Sequence, residues 1–246
     1  MTSVSGLDWA VGVIVPAQNE ESTIDSCLNA ILTSLGVAGV THFWVVVVAD
    51  NCTDTTAERA RRALASAGEV LEVRAGAAGA ARRAGAEQVL KHFVEYDHKY
   101  TWLANTDADS CVTPDWIRVQ LALAAGGVTA VAGIVRLGDD GPDAAHEIYR
   151  TTYLTAPEGT HSHVHGANLA MRADAYLDVG GWSDLALAED HCLWGRLRRR
   201  GWRVSSPISS VVITSARVHG RAKGGFADTL KATIEAAHAS SPCLST

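Results

Sequence analysis

A single-domain α/β fold, with a mostly parallel central sheet flanked by helices, is what this 246-residue chain predicts. Three observations carry the prediction. Short apolar runs alternate with segments of helical period through the first ~110 residues, the pattern of a parallel sheet with crossover helices. The most apolar run, Phe43 to Ala49, is hydrophobic on both faces, as a strand covered by helices on each side must be. Polar clusters follow the ends of the runs, where open α/β sheets place their ligands.

Taken in order, residues 10–16 read as a buried strand that stops at Pro16. Glu20 to Leu35 reads as a helix capped by Ser22 or Thr23, with Ile24, Leu28, Ile31, Leu32 and Leu35 on one face. Phe43 to Ala49 is the second strand, and a helix runs from about Thr55 to Ala67. Val70 to Val73 is a third strand, and the glycine- and alanine-rich segment Gly76 to Gly85 leads into a helix ending near Val94. Thr101 to Ala104 is a fourth strand and ends at Asp107-Ala108-Asp109.

The second half is less regular. Pro114 to Ala125 reads as a helix with proline in its first turn. Ala130 to Leu137 reads as one strand, Gly138 to Pro142 as a turn and Ala144 to Leu154 as a helix. Thr160 to His165 is a histidine-rich connector, Leu169 to Arg172 a strand and Ala173 to Val179 a short helix. Ala188 to Gly201 is a helix, acidic at its start and arginine-rich at its end, which suits the helix dipole. Val211 to Thr214 is a short strand, followed by a basic, glycine-rich segment and a final helix and tail.

Composition narrows the function classes. With 47% apolar and 20% charged residues the chain has the profile of a folded globular protein, not a disordered one. A net charge of −6 argues against a general nucleic-acid binder. The longest apolar run is far too short for a bilayer span, and the N-terminus lacks the pattern of a secretory signal. Five scattered cysteines without CxxC spacing argue against a disulfide framework and a structural zinc site. The expectation is a soluble cytoplasmic enzyme.

Asp107-Ala108-Asp109 is the sharpest chemical feature. Two carboxylates two residues apart at a strand end offer hard oxygen ligands to Mg²⁺ or Mn²⁺, which in turn bridges phosphate oxygens. Taken alone the motif also suits a solvated turn. Glu189-Asp190 opens a helix, where the dipole favours ionised carboxylates; base chemistry and simple helix capping both fit. His161, His163 and His165 alternate, so in an extended segment they share one face; a metal cluster, an acceptor contact and a solvated loop all fit.

Four clusters on one sheet edge appear in a fixed order: Pro16-Ala17-Gln18-Asn19-Glu20, Asp50-Asn51-Cys52-Thr53-Asp54, Gly79-Ala80-Ala81-Arg82-Arg83-Ala84-Gly85 and Asp107-Ala108-Asp109. His165-Gly166-Ala167-Asn168, Gly180-Gly181-Trp182 and Leu187-Ala188-Glu189-Asp190 follow downstream, with Arg200-Gly201-Trp202 beyond. Together, over residues 10–215, they resemble the family 2 glycosyltransferases, enzymes of the GT-A fold with a Rossmann-like sheet. The resemblance implies a domain over 1–246, with a nucleotide-sugar half at about 10–110, an acceptor half at about 111–225 and a C-terminal helix and tail at 226–246. It implies that Pro16, Asn19 and Glu20 lie along the nucleoside and that Asp50 meets the base. Arg82 and Arg83 approach base, ribose or diphosphate, although Arg83 stands where asparagine is frequent. Asp107 and Ala108 belong to the nucleotide-sugar site, and Asp107 and Asp109 to the metal. Asp190, with Glu189 beside it, supplies the base. His165, Gly166, Asn168 and Trp182 lie on the acceptor side, and Trp194 reads as core. Late in the chain, His219 is a candidate metal ligand, and Arg221 and Lys223 candidate diphosphate contacts.

The implied reaction moves a sugar from a nucleoside-diphosphate sugar, UDP-linked before GDP-linked, to a hydroxyl of a small-molecule or lipid-linked acceptor. A base on the face opposite the leaving group predicts inversion. A phosphatase of the haloacid-dehalogenase type would carry its Asp-x-Asp on the first strand, and a non-catalytic sugar- or nucleotide-binding module is the other alternative. The GxGxxG of a dehydrogenase and the Gly-x-Gly-Thr loop of a nucleotidyltransferase do not follow the first strand. No Gln-x-x-Arg-Trp motif is present, which favours single-sugar transfer over polymerisation.

Overall fold

The computed structural model describes residues 9–138, 159–185 and 187–215. Its centre is a seven-stranded sheet in the order β3-β2-β1-β4-β8-β6-β9. The first half supplies β1 (Ala10–Ala17), β2 (His42–Asp50), β3 (Gly68–Val73) and β4 (Thr101–Asn105), all mutually parallel. Between them run α1 (Ile24–Ala38), α2 (Thr56–Leu64) and α3 (Ala78–His92). The alternation of the sequence thus becomes one parallel half-sheet, as expected. Residues of β1 divide by parity: Val11, Val13 and Val15 pack towards α1, while Ala10 and Ile14 pack towards α3. Burial on both sides is why the runs are apolar throughout rather than alternating.

The second half adds β5 (Ser110–Val112), α4 (Trp116–Ala125), β6 (Ala130–Ala132), β7 (Ile134–Leu137), β8 (Leu169–Arg172), α5 (Ala173–Asp178), α6 (Glu189–Arg200), β9 (Val204–Ser205) and β10 (Val211–Thr214). Strand β8 is antiparallel to both β4 and β6, with Asn105 opposite Leu169. That reversal matters for function. An antiparallel strand begins at the edge where its parallel neighbours end, so the residues before Leu169 are delivered to the same rim as those after Asn105.

Several boundaries differ from expectation. Strand β1 continues through Pro16 to Ala17. Ile14 accepts from Thr106 N–H, so even positions face β4, whose pairing stops at Ile14 and Asn105; the missing N–H of Pro16 therefore costs no ladder bond. Helix α1 starts at Ile24, because the chain at 20–23 makes a turn closed on the Glu20 carbonyl. The predicted strand 130–137 is two strands in two sheets, broken at Gly133; β7 joins β10 and β5 in a separate three-stranded sheet. The turn expected at 138–142 beyond Gly138, the helix at 144–154 and everything after Ser215 lie outside the described residues.

Candidate active site

The C-terminal edge of β1, β2 and β4 gathers the polar clusters. Asp50, 7% exposed, ends β2 and accepts from Ala75 N–H at 2.7 Å and Gly76 N–H at 2.9 Å, so it fixes the loop that leads into α3. Asn19 sits in the left-handed region at φ 54, which asparagine tolerates, and its amide oxygen accepts from Thr53 N–H at 2.8 Å. Glu20 is buried; its N–H donates to Thr56 Oγ1 at 2.7 Å, and its carboxylate accepts from Thr23 at 3.0 Å. Together these bonds tie the loops after β1 and β2 into one wall, with Pro16 half-buried at its base. Thr56, whose hydroxyl also donates to Asp54 at 2.6 Å, was not singled out from sequence; only its place three residues past the Asn51-Cys52-Thr53 cluster hinted at it.

The turn carrying Asp107 and Asp109 connects the two sheets and is pinned from several sides. Thr106 N–H bonds Ile14, Ser110 N–H bonds Asp107 and Ser215 N–H bonds Asp109, all through carbonyl oxygens. Ala108, 2% exposed, turns into the core, leaving the two carboxylates outside it and partly exposed. Its methyl packs against hydrophobic neighbours, so the expected contact of Ala108 with a nucleotide-sugar is left to its backbone. Below the turn, the Cys27 thiol donates to the Asp107 carbonyl at 3.4 Å. Burial pushes that thiol well up, and Cys111, Asp109, Asp107 and Glu20 push the same way.

Arg82, 4% exposed, reaches across from α3. Its Nη2 donates to Asp107 at 2.7 Å and its Nη1 to Glu189 at 2.5 Å, and its guanidinium lies 5.3 Å over the Trp182 ring. Burial alone would weaken its charge, but Asp107, Glu189 and Asp190 more than offset that and hold it protonated. Close approach of α3 to β1 makes this reach possible: a methyl on Gly85 would come within 2.6 Å of Ile14. Arg83, the next residue on the same helix, faces another way. A step of 100° turns it to an outer cleft of about 490 Å³ lined by Arg74, Ala80 and Glu87, where it pairs with Asp184 at 2.6 Å, away from Asp107.

Asp190, half-buried in the first turn of α6, accepts from Gly166 N–H at 2.9 Å and from His191 N–H at 2.7 Å. His161, His163 and His165 form the ladder their alternation predicted, with ring centroids 6.1 Å apart and nearly parallel planes. Among the described residues no group of three or more potential ligands is arranged to hold a metal, so this ladder is not such a cluster. Burial pushes His165 down to about 4, against the pull of Asp190 and with added repulsion from His163, His161 and His191. The unfolded imidazole therefore binds a proton that the folded one refuses. Stability is complete above about pH 6.5 and falls as pH drops towards 4, by about 2–3 kcal/mol once partial exposure is allowed for. Melting curves from pH 7 to 4 should show this slope in the natural chain and a flatter one in His165→Gln; equal slopes would disprove it.

Two acceptor-side expectations are corrected. Asn168 is fully buried and its amide is spent inside the fold, donating to Ile134 and Ser210 and accepting from Trp116 at 2.8 Å. Trp182, 2% exposed, packs in the core under Arg82 and offers no face to a sugar. Trp194 is core, as expected. At the arginine-rich end of α6, Arg196 donates to the carbonyls of Val179 and Gly181, fixing the loop before Trp182, while Arg198, Arg199 and Arg200 are exposed. His219, Arg221 and Lys223 lie outside the described residues.

This mostly parallel α/β sheet, with Asp50 at the end of β2 and Asp107 just past β4, has the GT-A fold. The chain belongs to the family described as Glycosyltransferase like family 2, whose model matches residues 9–233. No curated protein is significantly similar in sequence. Among solved structures it is similar to TarS 1–349 of S. aureus in complex with UDP, at 17% identity and TM-score 0.63, covering 85% of this chain and 61% of that one. The same TarS fragment with UDP-GlcNAc gives 15% identity and TM-score 0.65 over 92% and 66%. The mannosyltransferase PcManGT of Pyrobaculum calidifontis, in complex with GDP-Man and Mn²⁺, gives 23% identity and TM-score 0.62 over 86% and 57%. At such identities the likeness is one of fold, and the chain spans 57% to 66% of the length of those structures. Among the described residues no helix is long and apolar enough to cross a membrane.

Proposed function

We propose that this chain transfers a sugar from a nucleoside-diphosphate sugar to an acceptor hydroxyl with inversion, using Asp190 as the general base and a divalent cation at Asp107 and Asp109. The observation that carries the reading is the convergence on one rim of Asp50, Asp107 and Asp190, two of them tied to a common framework through Arg82 and Gly166. Asp190 has its oxygens aimed by two backbone N–H groups and keeps further lone pairs to accept the hydroxyl proton.

The residues at the turn suit Mg²⁺ or Mn²⁺. They would supply hard carboxylate oxygens to such an ion. Such an ion, when bound, stabilises charge on the departing diphosphate. Asp107 and Asp109 would hold it; His219 is proposed as a further metal ligand and Arg221 and Lys223 as diphosphate contacts. On the acceptor side, His165 and Gly166 border Asp190, and the acceptor is a small molecule or a lipid-linked hydroxyl. A cytoplasmic setting belongs to the same proposal and is supported by the free thiols of Cys27, Cys52, Cys111 and Cys192.

Asp50 is proposed to meet the base. A carboxylate only accepts, and the ring N–H of uracil or guanine is a donor it could take; these are the bases proposed. With Mn²⁺ present, UDP or GDP at about 100 times its Kd should raise the melting temperature by roughly 5–10 °C, while ADP and NAD leave it unchanged. Release of nucleoside diphosphate from UDP- or GDP-sugars should require metal and be lost in Asp109→Ala. Silence of every nucleoside diphosphate in the melting screen, or phosphate release from a phosphomonoester, would defeat the proposal.

A further inference from the structure

Glu189 and Asp190 are neighbours, yet the fold treats them oppositely. Asp190 is half-buried and held by backbone N–H groups. Glu189 turns inward, its side chain 11% exposed, and meets the Arg82 guanidinium. The same guanidinium holds Asp107 on the donor side. It also lies flush against Gly166, the residue whose N–H aims Asp190: a methyl there would come within 2.5 Å of the guanidinium carbon. One buried cation therefore touches the donor-side carboxylate, the inward acid and the support of the base.

We infer that Glu189 takes no proton in the reaction but is a positioning residue acting through Arg82, and that Arg82 is the strut that sets Asp107 relative to Asp190. The inference rests on the reading of Asp190 as the base. Each terminal nitrogen of Arg82 already donates to a carboxylate, its plane lies over Trp182 and only 4% of the residue is exposed, so the guanidinium presents little surface for the donor to bind. A planar fork spanning two separate carboxylates fixes their spacing in a way an ammonium does not. Glu189 is needed because a buried arginine with only one counter-charge, shared with a half-exposed aspartate, would swing towards solvent or towards Asp190. The arrangement makes Glu189 a counter-ion whose loss is felt at Asp107 and Asp190 together.

The test is a double-mutant cycle with Arg82→Gln, Glu189→Gln and both, with Arg82→Lys as the conservative variant. In turnover, each single change should lower kcat by about 10–100-fold, as expected for a misplaced site, and the double change should be no worse than the worse single one. The acidic limb of the kcat profile should survive in Glu189→Gln. Disappearance of that limb would make Glu189 the base and overturn the inference. So would an Arg82→Lys enzyme with unchanged kcat and a donor KM raised tenfold or more, which would make Arg82 a donor ligand. Thermal unfolding supplies a readout that does not need turnover. Arg82→Gln leaves the buried Glu189 carboxylate without its counter-charge, whereas Glu189→Gln leaves Arg82 with Asp107 alone, so the double variant should melt above Arg82→Gln; strictly additive losses would overturn the strut. If the natural chain transfers no sugar, the reading of Asp190 falls, while the unfolding cycle still decides whether Arg82 and Glu189 act as one unit.

Discussion

Asp190→Asn is expected to lower kcat by roughly 10²–10⁴-fold, the span a positioned general base contributes, while UDP or GDP binds as in the natural chain. Calorimetric titration of the nucleotide and the rate of nucleoside diphosphate release measure the two sides. The split follows from the geometry. Asp190 stands in the first turn of α6 and is held from the Gly166 side, whereas on the proposed nucleoside side Thr53 bonds Asn19, Glu20 bonds Thr56 and Asp50 holds the Ala75 and Gly76 N–H groups, and none of these bonds involves Asp190. Asparagine keeps the shape but turns an NH₂ towards one of the two backbone donors, so a modest loss of melting temperature accompanies the loss of rate. Asp109→Asn should behave differently, weakening metal-dependent nucleotide binding together with turnover. Equal turnover in Asp190→Asn, or nucleotide binding lost in step with kcat, would remove Asp190 from its role.

The sequence made the half-sheet legible because each strand of β1, β2 and β4 is a run buried on both faces, and its polar successors mark the rim. It hid β5 and β9, which are too short to show a period. It merged β6 and β7, since the break at Gly133 is set by the Asn168 amide against it, a contact remote in sequence. At the site, carboxylates at strand ends were legible by position alone. Direction was not. Arg82 and Arg83 differ by one residue and end in different surroundings, and Trp182 reads as a sugar platform until Arg82 is seen to cover it. The histidine ladder was legible because extended backbone repeats every two residues, and nothing but that repeat was needed to align the rings.

Asn168→Ala is expected to cost roughly 3–5 kcal/mol of folding stability, about 10 °C or more in melting temperature, and to leave no acceptor-specific defect in whatever remains folded. Asn168 stands just before β8, where the two sheets meet. Its NH₂ donates to Ile134 at 2.9 Å and to Ser210 at 3.0 Å, and its oxygen accepts from the Trp116 indole. Ile134 opens β7, Ser210 precedes β10, and Trp116 begins α4. One amide therefore joins both sheets and a helix in the buried interior, and alanine strands a buried indole N–H as well as opening a void. Gly133→Ala probes the same joint from the other side, because its methyl would fall 2.3 Å from the Asn168 amide nitrogen and 2.6 Å from the Ser210 carbonyl oxygen. The site depends on this joint through the turn of Asp107 and Asp109, whose far end is held by β5 on β10. Loss of Asn168 should consequently blunt metal-dependent nucleotide binding at temperatures below the melt, measured by titration, before it touches the acceptor side. An Asn168→Ala protein that melts with the natural chain but shows a raised acceptor KM would return this residue to the acceptor pocket and refute its role as the link between sheets.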